Sequence, residues 1–304
     1  MTGSVSRPSV LVTGASRGLG LETALALAAR GFRVWAGLRD VGATPLVVGA
    51  ARARRVELRS VPLDVTDPDS IDAAVRHMVS DGHGVDAVVN NAGITAAGYF
   101  EDLTDDDMRR VFEVNLFGAM NVTRRVLPLM RAAGRGRVVM MSSVCGRLGS
   151  LAVTPYVASK FAIEGWSESL AMEVAPFGIR VVIIEPGLIA TDLFGRNRGV
   201  VPRARDARSP YYERFLRAER QVDALVRASR ITPADVACAV CRALTATRPR
   251  LRYIVGRRAR LLLTLQRHLP GELFETLYGR VVARRMAEKP VMAARTKGIP
   301  WELG

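Results

Sequence analysis

Short apolar, β-branched runs alternate with helix-length amphipathic segments from the start of the chain to about position 255. Residues 10–13, 33–38, 56–61, 87–90, 138–142, 181–185 and 253–255 are mostly apolar and read as buried strands. Apolar positions at helical spacing mark 19–30, 68–80, 105–131 and 156–174 between them. Strands that lack polar alternation and are joined by helices form a parallel sheet covered on both faces. The pattern predicts an α/β fold, a Rossmann-type doubly wound parallel sheet, whose ligands sit at the carboxyl ends of the strands.

Two segments interrupt the alternation. Residues 192–230, rich in Arg, Gly and aromatic residues such as Tyr211 and Tyr212, suit a mobile cover over a substrate site. After Gly256 the tail carries Leu273, Phe274, Leu277, Tyr278, Val281 and Val282 at helical spacing, with Arg280, Arg284 and Arg285 on another face. The expected organisation is one catalytic domain over 8–256 and a basic helical extension over 257–304. With 304 residues and 49% hydrophobic content the chain has enough apolar material for one large core.

The net charge of +15 raises nucleic-acid and membrane readings, but the arginines are scattered and no zinc-finger or aromatic RNA-binding motif accompanies them. No nucleic-acid partner is expected. The basic amphipathic tail suggests peripheral membrane contact, set against a lid or a dimer-packing segment. The N-terminus lacks a signal-peptide core and no run approaches a spanning helix, so a cytoplasmic protein is expected. Cys238 and Cys241 form a C-x-x-C inside an apolar-faced helix with no second Cys or His pair nearby. They read as buried core, and no metal is expected.

The chemistry begins where the first strand ends. Thr13 is followed by Gly14, Ser16, Arg17, Gly18, Leu19 and Gly20, spaced G-x-x-x-G-x-G, and then by a helix. Glycine permits positive φ and close approach of a pyrophosphate, while the helix N-terminus offers free N–H groups to an anion. After the second strand stands Arg39, where an acidic side chain would hold the ribose of NAD. Arg39 with Arg17 favours the 2′-phosphate of NADP(H), although Asp40 directly follows and is an alternative ribose ligand. Asp64 and Val65, after the third strand, are candidates for the adenine site. Asn91, Ala92 and Gly93, after the fourth, are candidates for contact with the adenosine.

Tyr156 and Lys160 stand at (i, i+4) and share one helix face. A phenol beside a fixed cation is an acid/base suited to carbonyl chemistry. The chain has 44 basic residues and only three lysines, so a lysine here stands out. Ser143 lies thirteen residues upstream of Tyr156, next to a competing Ser142 that strand alternation turns to the opposite face.

The glycine turn, Asn90-Asn91-Ala92-Gly93, Asn115, Ser143, Tyr156-x-x-x-Lys160 and Pro186-Gly187 together resemble the short-chain dehydrogenase/reductase family over roughly residues 8–255. The run from Val34 to Asp40 and the extended C-terminus look most like its hydroxysteroid and retinol dehydrogenase branch. The resemblance implies that Tyr156 exchanges a proton with the substrate oxygen and that Ser143 positions that oxygen. It further implies that Lys160 binds the nicotinamide ribose and biases Tyr156 toward phenolate, while Asn115 holds a water leading to solvent. Pro186, Gly187, Ile189 and Thr191 would meet the nicotinamide, and Cys145, Leu148, Leu188 and Phe194 would line the substrate pocket with Ser143 and Tyr156. Ionising a free phenol at pH 7 costs roughly 4 kcal/mol, so reduction, which uses the neutral phenol, demands the smaller shift.

The expected function is NADP(H)-dependent interconversion of a ketone or aldehyde and an alcohol on a hydrophobic substrate such as a steroid, retinoid, lipid or polyketide-like compound. The alternative is a non-catalytic NADP-binding redox sensor. The family implies a homodimer or homotetramer.

Overall fold

The computed structural model describes residues 7–82, 84–189 and 198–287. Seven parallel strands form one sheet in the order β3-β2-β1-β4-β5-β6-β7. They are β1 (Ser9–Thr13), β2 (Arg33–Leu38), β3 (Arg59–Pro62), β4 (Ala87–Asn90), β5 (Gly136–Met141), β6 (Ile179–Pro186) and β7 (Arg252–Val255). Strand order reverses between β1 and β4, whose register pairs Val10 with Ala87 and Val12 with Val89. The carboxyl ends of those two strands therefore open the crevice in which such sheets bind ligands.

Alternation along each strand divides the interior into two layers. Val10, Val12, Val139, Met141, Val182 and Ile184 pack with α1 (Gly18–Ala28) and α8 (Pro233–Thr245) on one face. Leu11, Val88, Val138, Met140 and Val181 pack with α3 (Pro68–Ser80), α5 (Gly118–Ala132) and α6 (Thr154–Val174) on the other. This is the expected doubly wound sheet.

Three local departures have physical causes. The expected third strand begins three residues late: Arg55 adopts φ +54 and Val56 N donates to Ala51 O, so 54–56 close the end of α2 (Thr44–Ala53). The single helix expected over 105–131 is α4 (Asp105–Phe112), a π-helical turn over Glu113–Phe117, and α5. One inserted residue in a helix re-aims the side chains around it, and here the widened turn contains Asn115. Within α8 Cys241 is buried as expected, whereas Cys238 is exposed, because the C-x-x-C straddles the edge of the packed stripe. No group of three metal-ligating side chains occurs among the described residues.

Beyond the sheet, α7 (Tyr212–Arg227) forms within the segment expected to cover the site, and α9 (Arg257–His268) and α10 (Gly271–Ala287) build the extension. Leu263 and Phe274 anchor this extension against Leu148. Leu261, Leu265, Leu273, Leu277 and Val281 remain exposed. No helix among the described residues is long and apolar enough to cross a membrane.

Candidate active site

The glycine turn is held by its neighbours rather than by its own side chains. Thr13 Oγ1 accepts from Asn91 N and Ala92 N, each at 3.0 Å, and Asn91 Nδ2 donates to Thr13 O at 2.9 Å. These bonds tie the end of β1 to the end of β4. Gly14 has φ +63 and Gly18 φ +57, the region that glycine enters without strain. A Cβ on Gly20 would lie 2.3 Å from Gly14 O and 2.5 Å from Asn91 Nδ2, so helix α1 approaches the turn too closely for any side chain there. Gly18, by contrast, faces open space.

This arrangement suits a dinucleotide. Helix α1 has no side-chain N-cap, so its first N–H groups remain available to an anion beside open space at Gly18. Arg17 and Arg39 are exposed, and neither side chain makes a hydrogen bond or ion pair with another described residue. Asp40 is otherwise occupied: its Oδ1 accepts from Gly42 N at 2.9 Å and caps the short turn after β2. Asp64 Oδ1 is taken by Thr66, from N at 2.9 Å and from Oγ1 at 2.7 Å, while Asp67 fills the N-cap of α3. Val65 is buried against Gly118 at the start of α5, and Gly93 backs onto the Asn115 carboxamide.

Helix α6 carries Tyr156, Ser159, Lys160, Ile163 and Ser167 on its buried face, and this face brings the phenol to the end of β5. Ser143, extended at φ −165, ends that strand and hydrogen-bonds Tyr156 through its side chain. Ser143 Oγ also accepts from Cys145 N at 3.1 Å, which fixes its rotamer. Ser142 points elsewhere, its Oγ buried beside Gly146 without a hydrogen bond. Lys160 Nζ donates to Met141 O at 2.7 Å and lies 5.5 Å from the centre of the Tyr156 ring. The Asn115 side chain accepts from Ile94 N and donates to Ile94 O and Ser159 Oγ at 2.8, 3.0 and 3.0 Å. It thus pins the loop after β4 to α6.

Burial dominates the proton affinities. It raises the Tyr156 phenol above the ordinary tyrosine range, the nearby Cys145 thiol adds to the rise, and the Ser143 hydrogen bond opposes it. Burial lowers Lys160 to about 8 against the pull of Glu164 and Cys145. At neutral pH the site thus pairs a neutral phenol with a mostly protonated lysine. Behind it, Glu185 is fully buried between Arg147 at 3.4 Å and Arg252 at 3.5 Å, and burial with the charge of Glu164 pushes it up to about 7.

From Ser143 a cavity of about 100 Å³, open to solvent, runs outward. Cys145, Leu188 and Gly187 are among the residues that line it. Leu148 is not. It is turned into the small core beneath α9 and α10, because the extension needs an apolar partner there. Thr191 and Phe194 lie outside the described residues. Ile189 is buried in the core at the end of β6, and the Leu188 carbonyl accepts from Ser229 Oγ at 2.6 Å. Helix α7 supplies wall residues that sequence reasoning missed: Phe215, Ala218, Glu219 and Val222. The i, i+3, i+7 spacing of the apolar three, Phe215, Ala218 and Val222, was a legible signal.

A parallel sheet with a glycine turn at its strand-order reversal and a buried Ser–Tyr–Lys set defines a dinucleotide-dependent oxidoreductase. Residues 8–199 match the family model for short chain dehydrogenase. Human 17-beta-hydroxysteroid dehydrogenase type 1 is 35% identical over 269 residues, covering 86% of this chain and 81% of its own. Bovine retinol dehydrogenase 8 is 35% identical over 277 residues, covering 88% and 87%. A crystal structure of a short-chain dehydrogenase from Streptomyces avermitilis superposes with a TM-score of 0.74 at 37% identity, over 92% of this chain and 98% of that one. The chain belongs to the short-chain dehydrogenase family. It is an oxidoreductase that binds a nicotinamide cofactor.

Proposed function

We propose that the protein is an NADPH-dependent reductase of ketones or aldehydes on a hydrophobic skeleton. The observation that carries this reading is the neutral, buried Tyr156 phenol hydrogen-bonded to Ser143 at the inner end of an apolar cavity. A bound nicotinamide dinucleotide supplies the hydride that the carbonyl carbon receives. Tyr156 gives its phenolic proton to the carbonyl oxygen as that hydride adds, so the C=O bond becomes CH–OH with charge balanced. Ser143 donates to the same oxygen and stabilises its developing negative charge. Lys160 places a positive charge behind the phenol, favouring the tyrosinate that remains once the proton has left.

Burial fits this direction better than its reverse. Alcohol oxidation needs the phenolate at the outset, and the site disfavours that form. The preference for NADPH rests on Arg17 and Arg39, which reach no internal partner, and on Asp40, which is engaged in its own turn. A phosphate carrying two negative charges suits two unpaired guanidinium groups. Thr13, Asn91 and the glycine turn would hold the pyrophosphate region, and Asn115 positions the loop beside it.

The decisive experiment is NADPH oxidation by a panel of apolar ketones. The native enzyme is expected to turn over at least one, and Tyr156→Phe to lower kcat by roughly 10²–10⁴-fold while leaving NADPH affinity within about twofold. Equal rates for the two proteins would refute the role of the phenol.

A further inference from the structure

The helical extension buries one face and leaves another uncovered. Leu263 of α9 and Phe274 of α10 turn into the small cluster with Leu148. Gln266 Nε2 donates to Arg147 O at 2.7 Å and Tyr278 Oη to Gly149 O at 2.9 Å, so both helices are fastened to the segment after β5 that continues into Ser150 and Leu151 of the cavity wall. Leu261, Leu265, Leu273, Leu277 and Val281 are nevertheless between 42% and 62% exposed. Five such side chains at helical spacing make a patch, unlike the single exposed leucines that are ordinary on a surface.

Cations share that face. On α9 Arg257 stands at i−4 to Leu261 and Arg258 at i−7 to Leu265; on α10 Arg280 stands at i+7 to Leu273 and i+3 to Leu277, and Arg284 at i+7 to Leu277 and i+3 to Val281. Those spacings put leucine and arginine on one side of each helix. All four arginines are exposed, and their side chains make no ion pair with another described residue. Residues 257–284 hold six arginines and only two acidic residues, Glu272 and Glu275, and Glu275 stands two positions from both Leu273 and Leu277, on another side of α10.

This mixture decides what covers the face. A second copy packed about a two-fold axis would set arginine against arginine. Residues 288–304 hold three cations and two carboxylates, so they bring no complementary charge. A nucleic acid would meet the arginines and leave the leucines in water. An anionic lipid surface satisfies both, since the leucines enter the acyl boundary while the guanidinium groups reach back to the headgroups.

We propose that α9 and α10 form a peripheral docking surface for a membrane containing anionic lipid, which they enter through Leu261, Leu265, Leu273, Leu277 and Val281. The surface lies apart from Ser143, Tyr156 and Lys160, so it stands or falls separately from ketone reduction.

The test sediments the full chain with vesicles of phosphatidylcholine alone and of phosphatidylcholine with about 30% phosphatidylglycerol. The protein is expected to pellet with the anionic vesicles, to stay in solution with the neutral ones, and to be released by about 0.5 M salt. Arg280→Gln with Arg284→Gln should lower affinity for the anionic vesicles about 30-fold. Leu273→Ser with Leu277→Ser should lower it at least about tenfold. Leu46→Ser, a like change at an exposed leucine of α2, should bind as the native protein does. Melting temperatures within about 2 °C of native show that each variant is folded. Failure of the native protein to pellet with anionic vesicles, equal pelleting with neutral ones, or native affinity in the leucine variant would each overturn the proposal. A native oligomer that dissociates on Leu273→Ser with Leu277→Ser, while neither protein pellets with vesicles, would overturn it in favour of a second copy of the chain.

Discussion

At the glycine turn the constraint lies in the backbone, whereas along α7 it lies in side chains. Gly14 needs its positive φ, and Gly20 has a carbonyl oxygen where a Cβ would stand. The wall formed by α7 instead depends on which residues project from a helix of ordinary geometry, Phe215, Ala218, Glu219 and Val222. The first region accepts almost no change and the second accepts many. A shared cofactor with a variable substrate asks for that division.

The sharpest way to break this comparison is a single methyl group. Gly20→Ala would force apart α1, Gly14 O and Asn91, at a cost of about 3 kcal/mol, or roughly 100-fold in cofactor affinity. Titration of NADPH fluorescence on the purified variant measures it. Gly49, in the middle of α2 with open space where a Cβ would go, is the control. Gly49→Ala should leave cofactor affinity unchanged and raise stability by about 0.5–1 kcal/mol. If both variants bind NADPH like the native protein, the close approach at Gly20 does not govern the site.

That contrast also explains what the sequence revealed. Backbone demands leave only glycine as an answer, so the turn could be read from Gly14, Gly18 and Gly20, and the sheet from its apolar runs. Ser143 was separable from Ser142 because strand alternation sends neighbours to opposite faces, and Ser143 indeed reaches Tyr156. Leu148 could not be placed in the same way. An apolar residue near a site serves a pocket or a core equally well, and only the packing of Leu263 and Phe274 against it decides. Glu219 was hidden for a related reason: an exposed-looking charge on an amphipathic helix gives no sign that its face closes a cavity. The π-helical turn around Asn115 likewise depends on tertiary bonds to Ile94 and Ser159.

A smaller effect tests how far side chains matter even in the cofactor half. Arg17→Ala or Arg39→Ala should each raise the KM for NADPH about tenfold, near 1.4 kcal/mol, and leave NADH within about twofold. High salt should narrow the difference, since both guanidinium groups are exposed. Steady-state kinetics with each cofactor at two ionic strengths decides the point. Unchanged discrimination in the double variant would move cofactor choice to other residues.

The smallest effect concerns Glu185, which lies outside both regions on β6 and faces Arg147, Arg252 and Glu164. Its carboxyl is raised from 4.5 to about 7, chiefly by burial and next by Glu164, with Arg147 and Arg252 opposing. Between those two pH values the folded protein holds a proton that the unfolded chain releases. Linkage then makes this group's contribution to stability fall as pH rises from about 4.5 to about 7 and level off above. Glu185→Gln replaces the acid with a neutral group of the same shape, so this part of the pH dependence disappears. The melting temperature of the variant relative to the native protein should climb by a few degrees between pH 5 and pH 7.5. A difference that stays flat or runs the other way would mean that the arginines hold Glu185 ionised throughout. In that event the cluster behind Lys160 is a fixed ion pair, and the protonation of the site is set by Tyr156 and Lys160 alone.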